Sequence, residues 1–169
     1  MVAYAITHTN LFRAVSGAAG DYSPYFYYMA PRAIQESFAR NGVGGWPEGK
    51  SEANWKQLAP DLNAEYINAV VLNNDPDSEF LADLSLYTSL RELGKPMELF
   101  IYPNELHHVN QPKHRYQIYE RNLDWFRFWL KLEVDPDPAK TEQYKRWRQL
   151  RANLREEQSN EESASEQRN

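Results

Sequence analysis

A chain of 169 residues with 5 Trp, 11 Tyr and 7 Phe holds enough apolar side chain for one packed domain. Its net charge of -5 and pI near 5.4 argue against a polyanion-binding surface, so nucleic acid is excluded as an expected partner. The absence of Cys excludes a disulfide framework and a thiolate metal site, leaving cytoplasm and periplasm equally open.

Residues 1–13 carry neither a basic n-region nor a long apolar core, so no export signal is read in this chain, and no run approaches the ~20 apolar residues of a membrane span. Residues 1–10 read as the end of a helix. Leu11–Gly17 is a short apolar run stopped by glycine, suited to a buried strand, and GAAGDYSPYFYY leaves it as a small-residue loop. A helix is expected over 29–41, a break at NGVGGWPEG, and a short helix over Glu52–Leu58. Ile67–Leu72 then has the continuous apolar character of a strand covered on both faces.

From Glu79 to Leu93 the spacing of Phe80, Leu84, Tyr87 and Leu90 or Leu93 predicts an amphipathic helix ended by Gly94. Pro96 precedes a second strand, MELFIY, and Pro112 opens a helix to about Lys131. Strand, helix, strand, helix implies a parallel sheet of α/β type. Residues 139–156 form a polar helix with Tyr144, Trp147, Leu150 and Leu154 as its stripe. The last stretch, 157–169, is expected to be a disordered polar tail.

Two strand ends carry groups suited to acid/base chemistry. After the first come Asp75, Asp77 and Glu79; after the second, on a loop, come His107 and His108. Acid before histidine is the chain order of the second half of an α/β-hydrolase triad, Ser then Asp/Glu then His. The plain alternative is a turn at Asp75-Pro76-Asp77 and a helix-opening Glu79 that favours the macrodipole. Adjacent histidines cannot point the same way, so one is expected as the base and the other as a pocket wall. H-x-x-x-H and H-x-H spacings are missing, so no metal site is expected.

The aromatic run Asp21–Met29, with Tyr22 and Tyr25, and Trp46 among glycines read either as a packed layer or as the wall of a peptide-binding pocket. Ser16 and Ser23 lack the small neighbours that a strand-to-helix elbow needs, and the chain has no G-x-S-x-G.

The stretches THTNLFRAVSGAAG, GGWPEG with APDLNAEYINAVVL, LRELGKP and ELFIYPNELHH resemble the C-terminal half of the catalytic domain of the prolyl oligopeptidase family of serine peptidases. DSEF, NELHHVNQPKHRYQIYERNLDWFRFWL and DPDPAKTEQYKRWRQLR most resemble the lasso peptide isopeptidases within it. The resemblance covers about residues 1–156. It implies a partial α/β-hydrolase fold, His107 as the catalytic histidine, and as its acid Asp75 by the commoner pattern or Glu79 by the isopeptidase pattern. Tyr22, Tyr25, Trp46 and His108 are the expected substrate contacts.

Two departures bear on that choice. Leu106 stands where the common pattern has glycine, and Asp77 stands where it has the Arg of Asp-x-Arg, which favours the isopeptidase pattern. The resemblance places the nucleophilic serine, one oxyanion donor and a β-propeller upstream of Met1, in a missing N-terminal part of the same enzyme. The expected function is serine-type hydrolysis of peptide or isopeptide bonds, without a cofactor. A non-catalytic scaffold or interaction module built on the same sheet, and a small-ester hydrolase, are the competing readings.

Overall fold

A computed structural model of the protein describes residues 2–18 and 23–166, with the side chains of 157, 158 and 160–166 left aside. Its centre is a parallel three-stranded sheet in the order β1 (Ala14–Gly17), β2 (Val70–Pro76), β3 (Met97–Tyr102). Val15 pairs with Val71 and Val71 with Met97, and Pro76 pairs with Tyr102 at the far end. Every residue of β2 is buried, as expected of a strand with a neighbour on each side and helices on each face.

Alternation along the strands divides the core. Val15, Val71 and Met97 face α1 (Val2–His8) and α5 (Leu84–Glu92), where Ile6, Leu86 and Leu90 complete a layer with Ile67. Val70 and Leu72 face the other way, against Trp125 of α6 (Pro112–Phe126), Phe128 of the π-helical turn Arg127–Lys131, and Tyr144 and Trp147 of α7 (Thr141–Glu166). A third, smaller cluster of Phe38, Val43, Trp55 and Ala59 joins α3 (Arg32–Arg40) to α4 (Glu52–Leu58) within the β1–β2 connection.

Several elements differ from the sequence expectation, beginning with β1, which starts at Ala14 and leaves Leu11 and Phe12 exposed. The segment after β1 is not all loop: Ser23 accepts the Phe26 amide at 3.0 Å and Pro24 takes the first helical position, so Pro24–Met29 folds as α2. Residues 19–22, and with them Tyr22, lie outside the described residues.

The middle strand starts three residues later than Ile67 and runs on through Asn73, Asn74 and Asp75. Lys95 explains the start. Its ammonium donates to the carbonyls of Ala64 and Ile67, at 3.0 and 2.8 Å, and to that of Glu65, capping the 3₁₀ turn Asp61–Tyr66 and drawing Ile67 out of the ladder. The continuation is possible because Asn74, though polar, is hydrogen-bonded inside the sheet.

The helix expected from Glu79 is split into a 3₁₀ turn, Phe80–Ala82, and α5, whose buried face is Leu86 and Leu90 while Leu93 is exposed. Gly94 ends it at φ +64°, where a side chain is disfavoured. Finally, α7 continues through Glu166 across the stretch that composition pointed to as disordered. Glu, Gln, Arg and Ala are good helix formers, and once Tyr144 and Trp147 have docked the first turns, propagation costs little compared with nucleation.

Candidate active site

Parallel strands all end at one edge of the sheet, and the loops leaving that edge meet. There His107 Nδ1 lies 2.9 Å from Glu79 Oε2, joining the loop after β3 to the segment after β2. An ionised carboxylate only accepts hydrogen bonds, so Nδ1 carries the proton and Nε2 of the neutral ring keeps its lone pair. That tautomer is the one a general base needs. The imidazole is two-thirds exposed and Glu79 less than one-third.

Glu79 adopts φ −133°, ψ −7°, immediately before the Phe80–Ala82 turn rather than inside a helix. Its carboxylate is therefore free to turn towards the histidine. Asp75 sits four residues earlier, entirely buried within β2 and opposite Ile101 of β3. The structure thus brings His107 together with Glu79.

His107 lines an open cleft of about 550 Å³ with Ser16, Asn74, Pro76, Ile118 and Asn122. The floor is a polar cluster at the ends of β1 and β2. Ser16 Oγ donates to Asn122 Oδ1 at 2.7 Å, and Asn74 Nδ2 donates to the same oxygen at 2.8 Å. Gly17 borders the cleft at a close approach: a Cβ there would meet Asn73 Oδ1 at 2.9 Å.

The remaining expected site residues are spread more widely. His108 packs its ring edge-on against that of His107, centroids 5.0 Å apart at 62°, and the hydrogen bond to Glu79 is made by His107. Tyr25 is half exposed on α2, an element that packs against the Phe80–Ala82 turn next to Glu79. Trp46 is half exposed on the loop after α3 and contacts Tyr28 at 5.6 Å. Neither ring lines the cleft at His107.

Asp77, one of the three carboxylates named from the sequence, holds the histidine loop together with Glu105 and His114, which the sequence analysis did not single out. Asp77 accepts the amides of Asn104 and Glu105 at 2.7 and 3.1 Å, and Glu105 accepts those of Asn110 and Gln111 at 2.8 and 3.1 Å. His114, at the start of α6, adds its Nδ1 to Glu105 at 2.8 Å. The two amides hold the Asp77 carboxyl below the usual aspartate range. For Glu105, burial pushes the carboxyl up, but the Asn110 amide, His114 and the Gln111 amide outweigh it and the net direction is down. A signal did exist: Asp77 and Glu105 are 28 residues apart, the same separation as Glu79 and His107.

A parallel sheet with helices on both faces, and an acid and a histidine meeting at its carboxyl edge, have the layout of an α/β-hydrolase fold. The pattern of the prolyl oligopeptidase family matches residues 1–133, and the chain belongs to that family. It is 48% identical over 99 residues to the lasso peptide isopeptidase AtxE2 of Asticcacaulis excentricus, a match that covers 58% of this chain and 14% of that protein.

Among solved structures, AtxE2 isopeptidase without ligand superimposes with a TM-score of 0.81 at 33% identity, over 90% of this chain and 23% of that one. A variant of the same enzyme with Astexin3-dC4 bound gives 0.80 at 34%. Acylaminoacyl peptidase of Pyrococcus horikoshii shares the fold, with a TM-score of 0.64 at 24% identity over 83% of this chain. The chain spans about a quarter or less of the length of the relatives it matches.

Proposed function

We propose that this chain is the acid- and histidine-bearing part of a serine-type peptidase that cleaves peptide or isopeptide amide bonds. The observation that carries this reading is the His107–Glu79 hydrogen bond at the carboxyl ends of parallel strands. The nucleophilic serine comes from a segment of the same polypeptide outside these residues. Ser16, which lines the cleft, is engaged with Asn122, and Ser23 caps α2.

In the reaction, His107 Nε2 takes the serine proton as the serine oxygen attacks the carbonyl carbon. Glu79 stabilises the imidazolium that forms and keeps the ring oriented. The same proton passes to the leaving nitrogen as the C–N bond breaks, leaving an acyl-enzyme. Water, deprotonated by the same imidazole, then releases the acid and restores the serine. No cofactor enters these steps. The likeness to an isopeptidase supports an isopeptide within a small folded peptide as the substrate class.

The test is labelling by a fluorophosphonate together with hydrolysis assays on an isopeptide-closed lasso peptide and a linear peptide. The full-length polypeptide is expected to label at one serine and to open the isopeptide. The 169-residue chain alone is expected to do neither. Labelling of the chain at one of its own serines would overturn the placement of the nucleophile, and an inert full-length protein would favour a scaffold.

A further inference from the structure

The loop that presents His107 is short, exposed and without regular secondary structure, yet its imidazole must hold one direction for Glu79 to orient it. Residues Leu106 to Val109 contain no backbone ladder, and Leu106, His107 and His108 are all exposed. Apolar packing therefore does little to fix them. What flanks them is polar: two amides immediately before the loop, those of Asn104 and Glu105, and two immediately after it, those of Asn110 and Gln111.

We infer that Asp77 and Glu105 are positioning residues, a pair of carboxylates that clamp the His107 loop at both flanks through four backbone amides. The stoichiometry is one carboxylate oxygen to one amide. Asp77 Oδ2 takes Asn104 and Oδ1 takes Glu105; Glu105 Oε2 takes Asn110 and Oε1 takes Gln111. A charged acceptor strengthens each such bond relative to a neutral one, and two bonds per carboxylate fix a direction as well as a distance.

The two halves of the clamp are chained together. Glu105 offers its own amide to Asp77 while its side chain holds the far flank, so the loop is closed on itself and tied to β2 by one acid. Asp77 stands two residues before Glu79, and its own amide donates to the Tyr102 carbonyl at 3.0 Å. The segment that carries the imidazole's partner is thereby the segment that anchors the imidazole's loop. His114 extends the chain of contacts into α6, with its ring 5.4 Å from that of buried Tyr102. Glu105 is itself buried, 3% exposed, so water does not compete for its oxygens.

This inference rests on the proposed function for its catalytic consequence, but its geometry is testable apart from it. The experiment uses the full-length polypeptide containing this chain, as wild type, Asp77→Asn and Glu105→Gln. It reads residue-resolved amide hydrogen exchange and steady-state kinetics on a peptide amide. An amide side chain turns one of the two acceptors into a donor, so each variant should break its own half of the clamp. Exchange is expected to rise by ~10-fold or more at Asn104 and Glu105 in the first variant and at Asn110 and Gln111 in the second, with β2 and β3 unchanged. kcat should fall ~10- to 100-fold with KM within about two-fold, as for a displaced catalytic group rather than a damaged binding surface.

Unchanged exchange at all four amides, or loosened amides with wild-type kcat, overturns the inference. Should Glu105→Gln also loosen β2 and β3, Asp77→Asn decides, because its carboxylate is at the exposed edge. A wild type that hydrolyses nothing defeats the proposed function instead, and the four exchange rates then judge the clamp alone.

Discussion

His107 and Glu79 are 28 residues apart in sequence and 2.9 Å apart in space because β2 and β3 are adjacent, parallel and in a register that ends with Pro76 beside Tyr102. Both strands release their loops at the same edge. A displacement of either strand by one residue would turn its side chains to the opposite face and separate the pair.

That relationship makes the acid assignment testable. Under the proposed function, Glu79→Gln in the full-length polypeptide removes the negative acceptor, allows the wrong imidazole tautomer and should lower kcat by about 10³-fold or more at unchanged Tm. Asp75 is entirely buried in the middle strand, so Asp75→Asn should appear in Tm rather than kcat. Paired kinetics and calorimetry check this, and a crippled Asp75→Asn beside an active Glu79→Gln would overturn the roles given to the two acids.

The neighbouring histidines should differ as sharply. His107 makes the bond to Glu79, while His108 packs edge-on against its ring. His107→Ala is expected to reduce kcat by ~10³-fold or more, and His108→Ala by less than about ten-fold, measured as kcat and KM on the same substrate. Equal losses would mean that the loop presents both rings to the reacting centre.

Acid should loosen the histidine loop before it unfolds the sheet. The Asp77 and Glu105 carboxyls lie below their ordinary values of 3.8 and 4.5 in the folded chain. For a depressed acid, the stabilising contribution is complete above the ordinary value and lost as pH falls through the folded one. Exchange protection, corrected for intrinsic rate, should therefore be constant around pH 6 and begin to fall in acid below 3.8 at Asn104 and Glu105 and below 4.5 at Asn110 and Gln111, with Asp77→Asn removing the dependence at its own two amides. Protection that fell with rising pH would contradict the sign of both shifts.

The legible parts of the sequence were those where one local rule decided the outcome. Pro112 at a helix start, Gly94 at a helix end and the apolar run of MELFIY each act through their own backbone or burial. The missed parts depend on partners distant in sequence. Asn73 and Asn74 lie beyond the apolar run that marked the strand, and only the pairing of Asn74 with Ser16 and Asn122 carries the strand through them, while its early start is blocked by Lys95, 28 residues beyond the Ile67 carbonyl it binds. Of the three carboxylates at the end of that strand and just beyond it, spacing alone could not separate Asp75 from Glu79, because the split of the expected helix at Phe80–Ala82 is what leaves Glu79 free to turn. Ser23-Pro24 was a local signal, a cap followed by proline, that the surrounding glycines and aromatics obscured.

The last prediction concerns how α7 is held. Trp147 is fully buried between Trp125, Phe128 and Tyr144, and its Nε1–H donates to Glu98 of β3, a carboxylate that also accepts Arg146 at 2.8 Å. Truncating that indole leaves a cavity and an acid without one of its donors, so Trp147→Ala should cost about 3–5 kcal/mol and lower Tm by roughly 10 °C. The anchors Tyr144 and Trp147 stand within the first seven residues of the helix. A chain ending at Glu156 should consequently keep the Tm and urea midpoint of the whole, whereas one ending at Lys140 should bind a hydrophobic dye through the uncovered Trp125 and Phe128. Loss of stability on removing residues 157–169 alone would show that the polar end of α7 contributes packing to the fold, contrary to the boundary proposed near residue 156.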